Sequence, residues 1–176
     1  MDTRSRIVDV ASRLFYTQGY NSTGINQVIK EAEVAKASLY QHFPSKEDLL
    51  VEYLTVTSDL TRKALQLAIE KQHTPKEKVI AMFDFLLKNV RQNDFTGCNF
   101  LNIASEIPTE NERVRAIIRN QKDSIRRMFA DILKPLRKEE LADQLYILFD
   151  AALISSKVYR DVWPVKTTKK IVEKLI

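Results

Sequence analysis

Ile7, Val10, Ala11, Leu14 and Phe15 recur at steps of three and four, which sets them on one face of a helix over about residues 3–18, with Gly19 as its stop. After the turn Gly19-Tyr20-Asn21-Ser22-Thr23, the apolar positions Ile25, Val28, Ile29 and Ala32 describe a second helix of about two turns, opened by Ser22 or Thr23 as cap. A break at Glu33-Val34 then leaves room, before Pro44, for a third helix of about two turns. So short a helix is not stable alone in water. Leu39 and Phe43, one turn apart, are its anchors toward Phe15, Ile25 and Val28, while Lys36, Ala37, Ser38, Tyr40 and Gln41 point outward.

Three later starts carry capping chemistry: Ser45 with Asp48, Thr74 with Pro75 and Glu77, and Thr109 with Glu112. They predict long helices over about residues 46–71, 75–92 and 110–134, with a shorter one near 98–106 and two more at about 138–160 and 166–176. No segment alternates like a strand, and no internal repeat occurs. The expected fold is all-α: a three-helix N-terminal domain over residues 1–46 joined to a larger helical domain over residues 47–176, with the boundary inside the helix that starts at Lys46.

Composition supports packed helices: 44% hydrophobic and 29% charged residues, with three glycines and five prolines in 176 residues. No apolar run approaches the roughly 18 residues of a spanning helix, and the start of the chain reads as an amphipathic pattern rather than an export signal, so no membrane partner and a cytoplasmic location are expected. A single cysteine, Cys98, excludes an intrachain disulfide and a cysteine-cluster zinc site, and histidines at 42 and 73 offer little else; neither metal nor cofactor is expected. The net charge of +5 does not mark the N-terminal region as basic. Residues 1–50 hold six Lys and Arg (4, 6, 13, 30, 36, 46) against six Asp and Glu (2, 9, 31, 33, 47, 48). An affinity for polyanions must therefore come from local arrangement.

That arrangement is present. Two helices joined by a tight turn, the second short, polar outside and clamped from behind, match the helix-turn-helix unit of DNA readers. Small Ala37 and Ser38 let the backbone approach a major groove, while Lys36 and Gln41 supply donors and acceptors. The stretch GYNSTGINQVIKEAEVAKASLYQHFPSKEDLL resembles the DNA-binding signature of the TetR family of bacterial transcriptional repressors, in register from about Arg6 to Leu50. The resemblance implies phosphate contacts from Thr23, Tyr40, His42 and Lys46, and base-edge contacts from Asn26, Lys36, Ala37 and Ser38. Two positions depart from the family pattern. Glu33 stands where the family usually has glycine, so either it takes a left-handed conformation or the second helix ends differently. Ala35 replaces the usual serine or threonine cap of the third helix, which predicts weaker binding.

In the larger half, Val79-Met82-Phe83-Leu86-Leu87-Val90 and Val114-Ile117-Ile118-Ile125-Met128-Phe129-Ile132 read as core faces. Aromatics there either fill the core or line a cavity. The resemblance implies a pocket for a small-molecule inducer, with Phe83, Phe100, Phe129, Tyr146 and Phe149 facing Tyr53 and Thr57 of the helix that starts at Lys46. It also implies a homodimer through the last two helices, here Leu141, Leu145, Leu148, Ala152 and Ser155, with Ile171 and Leu175 beyond the break DVWPV. Cys98, in FTGCNFLNIASEIP, is either a buried small residue or, with a cation beside it, a sensor of oxidants or electrophiles. No Ser/His/Asp set, capped carboxylate pair, glycine-rich phosphate loop or metal cluster stands out, so no catalytic residues and no enzyme are expected. Two readings follow: a homodimeric repressor released from double-stranded, palindromic operator DNA by an inducer, or a helical DNA-binding or scaffold protein that senses nothing.

Overall fold

The structure, a computed structural model, describes residues 2–176. It is all-α: the described residues form nine helices and one 3-10 turn, with no strand. The helices are α1 (Thr3–Gln18), α2 (Ile25–Glu31), α3 (Lys36–His42), α4 (Lys46–Glu70), α5 (Pro75–Gln92), α6 (Asn99–Glu106), α7 (Glu112–Leu133), α8 (Leu141–Tyr159) and α9 (Trp163–Leu175). None is long and apolar enough to cross a membrane.

The chain separates into two compact units, one of residues up to Ser58 with Asn99–Ile118, the other of Asp59–Cys98 with Arg119–Ile176. A division at residue 46 therefore falls inside the first unit, which also takes in α6 and the start of α7. Polar ties draw that segment in. Asn111 Nδ2 donates to Glu47 Oε2 at 2.8 Å, Arg113 donates to Asp48 Oδ1 at 2.8 Å, and the Asn21 amide donates to Glu106 Oε2 at 2.7 Å.

In the first unit, α1 starts on Asp2, whose Oδ1 accepts the Ser5 amide at 2.8 Å, and it buries Ile7, Val8, Ala11, Leu14 and Phe15. Val28, Leu39 and Phe43 complete the small core, and Ile25 is half-buried. Neither Ser22 nor Thr23 caps α2: its N-cap is Gly24, with no side-chain bond. Thr23 is occupied elsewhere, as described below. The start of α4 follows the sequence, since Ser45 Oγ accepts the Asp48 amide at 3.1 Å and its hydroxyl donates back to Asp48 Oδ2 at 2.6 Å. At α7 the cap is Asn111 rather than Thr109. Asn111 Oδ1 accepts the Val114 amide at 3.1 Å, and the helix begins at Glu112.

In the second unit the Thr74/Glu77 capping box that starts α5 forms in both directions. Phe83, Phe129 and Phe149 pack against one another with ring centroids 5.6 to 6.2 Å apart, at the centre of a core shared by α5, α7, α8 and α9. Helix α9 starts at Trp163, before the expected residue 166. Pro164 occupies its first turn, where a missing N–H costs nothing, and Asp161 Oδ1 accepts the Trp163 amide at 3.0 Å.

Candidate DNA-binding interface

Helix α3 is held by its apolar side. Leu39 and Phe43 are buried against α1 and α2, and the Arg4 guanidinium lies 5.2 Å from the centroid of the Phe43 ring. The other side is free: Lys36, Ala37, Tyr40, Gln41 and His42 are exposed and Ser38 is half-exposed. Asn26, on α2, is exposed as well. A short helix whose outward row holds alanine, serine, amide, phenol and two cationic or cationisable groups can enter a major groove and meet both base edges and phosphates.

Of the two outcomes left open by the missing glycine in the turn before α3, the structure takes the left-handed one. Glu33 is left-handed, with φ of 53°. Ala35 is the N-cap of α3 and supplies no side-chain bond, so the first amides of that helix lack the acceptor that serine or threonine would bring.

Two residues expected on phosphates are engaged within the protein. Thr23 is fully buried; its hydroxyl donates to the Gly19 carbonyl at 2.7 Å and accepts from Gln18 Nε2 at 3.1 Å. Thr23 thus closes the α1–α2 turn and presents no side-chain surface to DNA. Lys46 is half-buried. Its Nζ donates to the Tyr20 carbonyl at 2.6 Å and lies 4.2 Å from the centroid of the Tyr20 ring. Burial pushes this ammonium below its ordinary value, and the Glu106 carboxylate opposes that shift.

Comparison with known proteins decides the family. The family model described as "Bacterial regulatory proteins, tetR family" matches residues 7–53, from α1 into α4. The HTH-type transcriptional regulator YxaF of Bacillus subtilis is 33% identical over 158 residues, covering 86% of this chain and 81% of its own. The chain belongs to the tetR family. It is a DNA-binding transcriptional regulator of helix-turn-helix type. LmrA, another such regulator of Bacillus subtilis, is 41% identical over 81 residues, or 46% of this chain and 43% of its own. The crystal structure of a TetR-family transcriptional regulator from Streptomyces coelicolor superposes with a TM-score of 0.91 at 26% identity, covering 98% of this chain and 87% of that one.

The residues expected around an inducer divide between the units of this tetR-family regulator: Tyr53, Thr57 and Phe100 lie in the first, and Phe83, Phe129, Tyr146 and Phe149 in the second. Tyr53 packs edge-on to Phe15 at 5.7 Å, and the three phenylalanines of the second unit fill their own space. Sequence reasoning missed an open groove of about 670 Å³ in the second unit, between the C-terminal half of α4 and α7, lined by Leu67 and Met128 together with Arg62, Lys63 and Arg127. Beside Cys98 stands the cation that sensing chemistry would ask for. Lys122 Nζ donates to Cys98 Sγ at 3.4 Å, but also to Asp150 Oδ1 at 2.8 Å. Burial, followed by a hydrogen bond to Asp150, holds the Tyr146 phenol far above its ordinary range.

Of the residues expected in a dimer interface, Leu145 and Ala152 are buried inside the second unit, whereas Leu141, Leu148 and Ser155 are half-exposed. The free apolar row of α8 is instead Ile147, Ala151, Ile154 and Val158, with Ile147, Ile154 and Val158 exposed at 63%, 51% and 71%. Exposed Trp163, Ile171 and Leu175 on α9 add to the apolar surface of this unit.

Proposed function

We propose that this regulator is a cytoplasmic homodimeric repressor that holds a palindromic operator through one α3 from each protomer and releases it when a small-molecule inducer binds. Residues 1–46 serve DNA binding, and residues 47–176 serve sensing and dimerisation. The observation that carries this reading is the pairing of a slim polar face on α3 with an exposed apolar row on α8. A row of that spacing exposed to water favours self-association, and a two-fold dimer offers two recognition helices to two half-sites. Base edges are read by Lys36, Ala37, Ser38 and Gln41 with Asn26, and phosphates by Tyr40, His42 and a released Lys46. The inducer binds in the second unit, where the groove beside Leu67 and Met128 falls within the size range of small-molecule sites. Footprinting upstream of the regulator's own coding sequence, joined to sedimentation, tests the reading. Two protected patches spaced by whole helical turns, bound by a dimer, are expected; a single patch bound by a monomer sinks it. For the inducer, linkage requires that operator DNA weaken ligand binding by the factor by which ligand weakens operator binding. Equal ligand affinity with and without operator removes the switch.

A further inference from the structure

Lys46, expected on a phosphate, is held by the Tyr20 carbonyl, and the turn that carries Tyr20 is itself held by a residue far away in the sequence. Asn21, in the turn between α1 and α2, is gripped at two points by the last residue of α6. Its backbone amide donates to Glu106 Oε2 at 2.7 Å, and its side-chain amide donates to the Glu106 carbonyl at 2.9 Å. Gly19 opens the space for this grip. It has φ of +94°, and a Cβ there would stand 3.1 Å from Glu106 Oε1. Tyr20 lies between these two residues, and its carbonyl receives the Lys46 ammonium at 2.6 Å while its ring flanks it.

We propose that Glu106 is a positioning residue for DNA binding, a latch that fixes the α1–α2 turn and keeps Lys46 on the Tyr20 carbonyl and off the phosphate backbone. The inference rests on the reading above that Lys46 meets a phosphate. The exchange is chemically simple. The Tyr20 carbonyl also accepts the Thr23 amide at 3.2 Å, so it is not left unpaired when the lysine departs. Lys46 then trades one charge-assisted bond to a carbonyl for one to a phosphate oxygen, and the negative charge of Glu106 holds it back. All of these groups lie in the first unit, so α6 acts on the DNA-binding helices through the turn itself.

The test is a double-mutant cycle on a mixed-sequence DNA duplex, for which no operator need be known. Glu106→Gln keeps an acceptor oxygen for the Asn21 amide and removes the charge; Lys46→Met removes the latched cation. Glu106→Gln is expected to tighten binding about fivefold in the native background and to change nothing in the Lys46→Met background. Equal tightening in both backgrounds would mean simple relief of charge repulsion and would overturn the latch, as would no tightening at all. The underlying reading fails separately, if Lys46→Met leaves both affinity and salt dependence unchanged in the native and in the Glu106→Gln background alike. A second measurement needs no DNA. Acetylation of Lys46, followed by mass spectrometry, is expected to be slow in the native protein and severalfold faster in Glu106→Gln; equal rates overturn the latch.

Discussion

Glu33 and Lys122 show how much of this molecule turns on single side chains. A left-handed glutamate costs on the order of 1 kcal/mol that glycine would not incur. Glu33→Gly is therefore expected to raise stability by about 1 kcal/mol in urea unfolding, and a fall in stability would show that the turn is held for another reason. The departure from glycine was legible in the sequence, but the choice between a left-handed residue and an earlier helix end was not; the φ of 53° decides it. Lys122 and Asp150 form an ion pair with side chains only 10% and 13% exposed. Removing one partner strands a charge, so Lys122→Met is expected to cost about 3–5 kcal/mol, whereas Lys122→Met with Asp150→Leu recovers most of that loss. Nothing in the local pattern marked this pair, because the partners are brought together only by the packing of α7 on α8.

Caps and faces decide the elements, and they were legible to different degrees. Thr74 with Glu77 and Ser45 with Asp48 were read from spacing alone, since a capping box is local chemistry. The Asp48 carboxyl is held below its ordinary value of 3.8, first by the Ser45 hydroxyl and then by Arg113. Its folded-state value is lowered, so the contribution of this cap is present above the unfolded carboxylate value and is lost as pH falls through the folded one. Acid unfolding below about pH 4 is thus expected to be less steep in Ser45→Ala than in the native chain; identical acid profiles would remove the cap from the account of stability. The outward face of α8 was the harder problem. Leu141, Leu145, Leu148 and Ala152 form one apolar series and Ile147, Ala151, Ile154 and Val158 another, and a helix apolar on two sides does not say which is the inner one. Packing answers it, since Leu145 is fully buried and Ile154 is half exposed. Ile154→Arg is therefore expected to give a folded monomer with weakened operator binding, while Leu145→Arg unfolds the unit. A dimeric Ile154→Arg in sedimentation would place the interface elsewhere.

At the scale of the whole chain, the all-α class and the helix-turn-helix were open to reading because amphipathic spacing and a polar recognition face are written in short windows. The extent of the first unit was not, because Asn21–Glu106 and Asp48–Arg113 join residues far apart in sequence, and no local pattern encodes such a partner. Those same ties hold α6 and the start of α7 in one compact unit with α1, α2 and α3. The most direct measurement of the central claim, that α3 reads DNA sequence, is the affinity of Gln41→Ala for the footprinted operator and for unrelated duplex at one salt concentration. Each good base contact is worth about 1–3 kcal/mol, and a dimer loses two of them. The expected result is a large loss on the operator with affinity for unrelated DNA nearly intact; an equal loss on both, or none on either, would contradict it.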